Sequence, residues 1–249
     1  MCTLVMLRRP DHDWPLIIGA NRDEMIGRPS RQPGRHWPDR PEVTAGLDEL
    51  AGGSWLGMND HGVVAAVLNR VGTLGPLQGK RSRGELVLEA LDHADAVEAA
   101  TALSSVEARS YRPFNLVIAD NRDAIWLAHR GGEQTALQPI PEGLSMLTAR
   151  ELDDPTSPRI AQYRGRFKAA RPPDPASDKW SDWQALLRDS RPQEGFGPES
   201  AMCFEIGSGF GTRSSSLIGL PAPGLRRKPE WRFAGEAGQP SSWSVIRLG

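Results

Sequence analysis

The feature that most limits what this chain can fold into is the arrival of short apolar runs in close pairs. Cys2–Leu7 and Leu16–Ala20 flank a polar, proline-bearing stretch. Gly52–Met58 and Val63–Asn69 flank the four-residue turn Asn59-Asp60-His61-Gly62, and Phe114–Ala119 and Ala124–Ala128 flank Asp120–Asp123. Runs this close in sequence pair as antiparallel hairpins. Helical patterns lie between the hairpins. Ser82-Arg83-Gly84-Glu85 has the form of a capping box ahead of Leu86, Val87, Ala90, Leu91 and Ala94. Asp95 is a predicted cap for a helix to Leu103, and Ser157-Pro158 opens one with Ile160, Tyr163 and Phe167 on a single face. Trp180, Trp183 and Leu187 mark a fourth. Further strands are predicted at Leu144–Thr148, Ala201–Ile206, Thr212–Leu220, Trp231–Ala234 and Trp243–Leu248. Arg28–Pro41, with four prolines and four arginines, reads as a long loop. Hairpin-joined strands with segregated helices give an α+β fold with mainly antiparallel sheets. No internal repeat is visible, and the breaker at Arg171–Ala176 lies between helices, so residues 1–249 are read as a single domain.

At 249 residues the chain can bury a full core without covalent staples. Its net charge of −1 gives no electrostatic case for a nucleic-acid partner. The apolar run Val63–Leu68 falls far short of the ~20 residues of a membrane span. Two cysteines make neither a disulfide framework nor a metal cluster. Arg8, Arg9, Pro10 and Asp11 break the apolar start too early for a secretory signal. A cytoplasmic protein without a metal or required cofactor is expected.

Cys2 is the first candidate for chemistry. A small residue after Met1 normally allows the methionine to be removed, and Cys2 would then carry a thiol and a free α-amine on one residue. With unperturbed pKa values near ~8.5 and ~8, one group is a nucleophile and the other its base. Asn21-Arg22-Asp23-Glu24 ends the second predicted strand. If Leu7 and Leu16 close the hairpin, Cys2 lies opposite Asn21. Arg22 would then favour the thiolate, and an amide or carboxylate would orient the amine. Cys203 lies in an apolar run and reads as core. The five histidines fall in turns, in loops or at element ends and are expected at the surface.

Met1-Cys2, Ala20-Asn21-Arg22-Asp23-Glu24, Arg28-Pro29-Ser30, Gly52-Gly53-Ser54-Trp55-Leu56-Gly57, Arg83-Gly84-Glu85-Leu86, Phe114-Asn115-Leu116 and Gly209-Phe210-Gly211-Thr212-Arg213 occur in this order. Each piece is weak alone, but the ordered set resembles the NRDE-domain family, also called the transport and Golgi organisation protein 2 family. That resemblance implies an N-terminal-nucleophile (Ntn) hydrolase-like fold, a four-layer αββα sandwich. Leu56–Leu68 and the Asn69 that ends the stretch are also similar to the cysteine branch of Ntn amidases, the choloylglycine hydrolase and penicillin V acylase group. There the matching asparagine helps to form the oxyanion hole, so Asn69 is the expected donor. The likeness departs at Leu147-Thr148-Ala149, where those amidases read Leu-Thr-Asn. Their Arg-Asn-x-Asp motif can be aligned with this chain at Asn21 or at Arg22.

The resemblance implies catalytic roles for Cys2, Asn21, Arg22, Asp23 and Asn69, and binding roles for Glu24, Trp55, Arg159 and Thr212. The first functional expectation is a hydrolase acting on a small amide or acyl substrate. The alternative is a non-catalytic haem or lipid/acyl-CoA binding and trafficking protein on the same fold, with haem as its ligand. Both readings take a small-molecule ligand, and neither fixes an oligomeric state.

Overall fold

In the computed structural model, residues 2–235 and 243–249 are described. The chain runs through β1 (Thr3–Arg8), β2 (Leu16–Met25), β3 (Ser30–Gly34), β4 (Val43–Asp48), β5 (Leu56–Asn59) and β6 (Val64–Asn69). Two helices follow, α1 (Gly84–Leu91) and α2 (Ala96–Ser104). Next come β7 (Phe114–Ala119), β8 (Ala124–His129), β9 (Ala136–Pro139) and β10 (Gly143–Leu147), then α3 (Pro158–Ala169) and α4 (Ser181–Leu187). The chain closes with β11 (Phe210–Leu220), β12 (Glu230–Ala234) and β13 (Trp243–Val245). Residues 236–242, between the predicted strands Trp231–Ala234 and Trp243–Leu248, lie outside the described residues.

The chain divides into two compact units, residues 1–28 with 141–246, and residues 29–140 with 247–249. The first holds a sheet of order β10-β1-β2-β11-β12-β13, antiparallel throughout. Val5, Ile17, Met146 and Leu217 face α3 and α4 and pack on Ile160, Tyr163, Phe167, Trp183 and Leu187. Pro158 sits in the first turn of α3, where no intrahelical N–H is lost. Trp183 meets Phe167 edge-to-face at 5.1 Å and lies against Gly19 of β2.

The second unit holds a sheet of order β3-β4-β5-β6-β7-β8-β9, again antiparallel. Val43, Ala45, Ala65, Leu116, Ile118 and Leu127 pack on Leu86, Val87 and Leu91 of α1 and on Ala99 and Leu103 of α2. Asp95 caps α2 as expected, accepting from the N–H groups of Val97 and Glu98. The capping box of α1 does not form. The Ser82 hydroxyl accepts from Gly84 N–H, and Glu85 pairs with Arg81 one turn back at 2.7 Å. What anchors this helix start is a backbone crossing, in which Ser54 N–H donates to the Gly84 carbonyl at 3.0 Å. A Cβ on Gly53 would lie 2.5 Å from the Gly84 carbonyl carbon, so only glycine fits there.

Two expectations need correction. The segment Arg28–Pro41 is not all loop, because Ser30–Gly34 joins the sheet edge beside β4. Ala201–Ile206 is not a strand. Its backbone groups are taken individually by Asn21, Asp189, Phe210 and Thr212, leaving one isolated bridge between Glu205 and Gly211. Two antiparallel sheets, each with its own helices, make the α+β class expected from the hairpin pattern.

Candidate active site

Within the first unit the site grows from the register of β1 against β2. Arg8 pairs with Leu16 and Thr3 with Asn21, one step away from the expected closure at Leu7. The shift arises because Arg9 N–H bonds the Pro15 carbonyl, which makes the connecting loop one residue shorter. Continued by one step, the ladder sets Cys2 across from Arg22 rather than Asn21. A one-residue slip reverses every face assignment in a strand.

One face of β2 looks toward α3 and α4. There Asp23, 2 % exposed, accepts from Arg159 Nη1 of α3 at 2.8 Å and from Thr212 Oγ1 of β11 at 2.9 Å. Arg159 Nη1 also donates to Thr3 Oγ1 at 2.6 Å, and its Nη2 donates to the Glu199 carbonyl at 2.8 Å. The guanidinium lies over the Phe204 ring, 5.2 Å from its centre. On the same face Asn21 Nδ2 donates to the Leu187 and Met202 carbonyls, both at 2.8 Å, and its Oδ1 accepts from Ser215 Oγ at 2.7 Å. Thr212 and Ser215 are three residues apart, and regular alternation would put them on opposite faces. A bulge between Thr212 and Ser214 turns both toward the helices.

Thr3, Asn21 and Asp23 therefore face the helices, and alternation places Cys2 and Arg22 on the other face. Ser214, which pairs with Arg22 across the ladder, is buried there too. The Cys2 sulfur lies 3.6 Å from the Asp23 carbonyl oxygen and donates to it. Continued two steps, the β1–β10 ladder sets Ala149, 2 % exposed, across from Cys2. The residue keeps part of its surface open, but its thiol is desolvated. Burial pushes the thiol pKa up, the Asp23 carboxylate pushes it further, and Arg22 pulls it down without prevailing. Arg22 favours the thiolate as expected, but burial and Asp23 outweigh it, and the resting group is a thiol.

Glu24 bonds its neighbour's Met25 N–H at 2.9 Å and faces Arg28 at 3.8 Å. Asn69 and Trp55 belong to the second unit. Asn69 ends β6 opposite Phe114, and the half-buried Trp55 ring lies against Gly46, where a Cβ would meet it at 2.4 Å. Cys203 is half-buried rather than core, because its segment is irregular. Burial raises its thiol pKa, Asp23 adds to this, and Arg159 and Arg213 oppose it. Four histidines keep part of their surface, but His129 is 2 % exposed. It ends β8, which is buried along its whole length, and its ring stacks obliquely on Phe114 at 5.5 Å. Sequence reasoning missed Thr3, whereas Ser215 lies in the run Thr212–Ser216, whose Thr and Ser side chains the sequence marks as candidates to line a cleft near Cys2. Among the described residues there is no cluster of three or more His, Cys, Asp or Glu fit to hold a metal ion. No helix among them is long and apolar enough to cross a membrane.

Solved structures share the fold over nearly the whole chain. An N-acylethanolamine-hydrolyzing acid amidase ortholog from Caenorhabditis elegans superimposes with a TM-score of 0.62, covering 99% of this chain and 100% of that one at 12% identity. A conjugated bile acid hydrolase variant from Clostridium perfringens gives 0.58, covering 99% and 92% at 14% identity. These neighbours are enzymes of the Ntn-hydrolase type, and the likeness extends to the fold alone. The human Transport and Golgi organization protein 2 homolog is 38% identical over 112 residues, 43% of this chain and 39% of that protein. The Bos taurus homolog is 37% identical over 145 residues, 53% of this chain and 50% of that protein. The matches thus span half or less of the length of these relatives. The sequence model described as Transport and Golgi organisation 2 matches residues 1–222, and the chain, an α+β protein, belongs to that family.

Proposed function

We propose that this chain is an N-terminal-cysteine hydrolase acting on a small amide or related acyl compound. The observation that carries this reading is the placement of Cys2. It stands at the mouth of β1, on the face opposite a buried polar scaffold of Asp23, Arg159, Thr3 and Thr212 that fixes the strand beneath it. The resting thiol needs a base, because burial and Asp23 hold its proton on. Removal of Met1 would free the Cys2 α-amine, which can take that proton. The thiolate then adds to the substrate carbonyl carbon, and the oxygen becomes an oxyanion. As the carbonyl re-forms, the C–N bond breaks and the amine leaves with the proton held by the α-amine. A thioester to Cys2 remains, and water activated by the same α-amine hydrolyses it to a carboxylic acid and the thiol.

In this scheme Cys2 is the catalytic residue and Arg22 sets its field. Asp23 and Arg159 act as positioning residues, as does Asn21, whose amide is taken up by Leu187, Met202 and Ser215. Ala149 offers no side-chain donor beside Cys2, so the oxyanion role rests on Asn69, proposed from the family likeness. The names of the structural neighbours, amidase and bile acid hydrolase, support amide chemistry.

The test is turnover of a panel of N-acyl amides and acyl esters by the wild type, Cys2→Ala and Asn69→Ala. Cys2→Ala abolishes turnover with the fold intact. Asn69→Ala lowers kcat by ~10²–10³-fold with little change in KM, the size found for one oxyanion donor. A panel on which the wild type is inactive, with ligand binding unchanged by Cys2→Ala, would favour the non-catalytic carrier.

A further inference from the structure

Between β6 and α1 the chain runs from Arg70 to Arg83 without an acidic residue. Its tip turns three apolar side chains out to solvent: Val71 is 58 % exposed, Leu74 44 % and Leu77 52 %. A single exposed leucine is ordinary, but three large apolar groups within seven residues form a patch. A loop is normally kept out of an apolar phase by its carbonyl groups. Here several of those carbonyls are turned inward. Arg112 Nη1 donates to the Leu74 and Gly75 carbonyls at 2.7 and 3.0 Å, and its Nη2 donates to that of Gly72 at 2.9 Å. Buried Thr73 donates to the Arg70 carbonyl at 2.8 Å, and Arg83 Nη1 donates to Thr73 Oγ1 at 2.9 Å and to the Pro113 carbonyl at 3.0 Å. The loop is thus held from within, and its apolar side chains are left outside.

The charge at the base of the tip is positive. Arg112 bonds only carbonyls, and Lys80 Nζ bonds the Arg109 carbonyl; neither meets a carboxylate among the described residues. Gln78 is the single side chain at positions 74–79 able to read a partner by directional hydrogen bonds. A protein partner would need more such groups, whereas a lipid headgroup layer needs none.

We propose that this loop docks on an anionic lipid surface. Val71, Leu74 and Leu77 enter the boundary between headgroups and acyl chains, and the exposed Lys80 faces the phosphates. Three side chains of this kind give reversible, salt-sensitive attachment rather than insertion.

The test is co-sedimentation of the full chain with vesicles of phosphatidylcholine, alone or mixed with roughly one-third phosphatidylserine, an anionic content in the range that attracts basic segments. The mixed vesicles bind the protein, and binding weakens several-fold as salt is raised. Leu74→Asp with Leu77→Asp lowers the bound-to-free ratio by about tenfold or more, with an unchanged circular dichroism spectrum. Lys80→Glu weakens binding to the mixed vesicles. Leu50→Asp, at a site 67 % exposed outside the loop, leaves it unchanged. Failure of the mixed vesicles to bind the wild type, or equal binding by the double variant, overturns the proposal. So does a concentration-dependent dimer that the double variant dissolves, since a second copy would then cover the loop.

Discussion

Asp23 and Arg159 form a buried ion pair, Oδ2 to Nη1 2.8 Å, with side-chain exposures of 0 % and 3 %, behind the strand that leads from Cys2. The pair joins β2 to the first turn of α3. Removing either partner leaves the other charge buried. Arg159→Leu and Asp23→Asn are each expected to cost ~3–5 kcal/mol in urea unfolding. The double variant is expected to lose clearly less than the sum, because no uncompensated charge remains. Strict additivity would show that the two side chains act independently.

The crossing of Gly53 and Gly84 sets the start of α1, and a methyl at Gly53 has nowhere to go. Gly53→Ala is expected to destabilise the chain by ~1–3 kcal/mol, the usual cost of overpacking. Gly132→Ala, where a Cβ meets nothing within 4 Å, should change stability by less than ~0.5 kcal/mol. Thermal unfolding of the two variants side by side measures the difference.

Because burial and Asp23 raise the Cys2 pKa, its thiolate population lags behind that of a free thiol, near ~8.5, as pH rises. In a Cys203→Ala background, iodoacetamide should label Cys2 slowly at neutral pH, and the rate should still be climbing above the free-thiol midpoint. Arg22→Gln removes the one side chain that pulls the pKa down and should slow labelling at a given pH. A plateau below pH ~8 would contradict the burial argument.

Much of the frame was legible in the sequence because each hairpin carries its own signals. Asp120 shows how local they are: its Oδ1 accepts from the N–H groups of Arg122 and Asp123, which closes the β7–β8 turn, while its Oδ2 is left to take the Ala96 N–H of α2. The helix opened by Ser157-Pro158 was equally plain, because Ile160, Tyr163 and Phe167 repeat at helical spacing and face the sheet.

What escaped depends on partners far along the chain. The Asn21-Arg22-Asp23-Glu24 run reads as one motif, yet strand alternation splits it between two faces, and a one-step register shift sets Arg22 rather than Asn21 across from Cys2. Asn21 and Asp23 go to the helices, and Arg22 goes to the thiol. No periodicity announces that shift, since it comes from the Arg9–Pro15 backbone bond inside the loop. Ala201–Ile206 has the composition of a strand, but its backbone is drawn to Asn21, Asp189 and Thr212. The Arg213 bulge that turns Thr212 and Ser215 to one face is likewise invisible before the sheet is assembled.

The central claim, that Cys2 is an N-terminal nucleophile, is tested most directly by the intact mass of the native chain. The measurement is made before and after exposure to an activated acyl probe, with Cys2→Ala as the control. The expected result is a chain lacking Met1 that gains a single acyl group in the wild type and none in Cys2→Ala. A native mass that retains Met1, or an acyl group that still appears in Cys2→Ala, would contradict it.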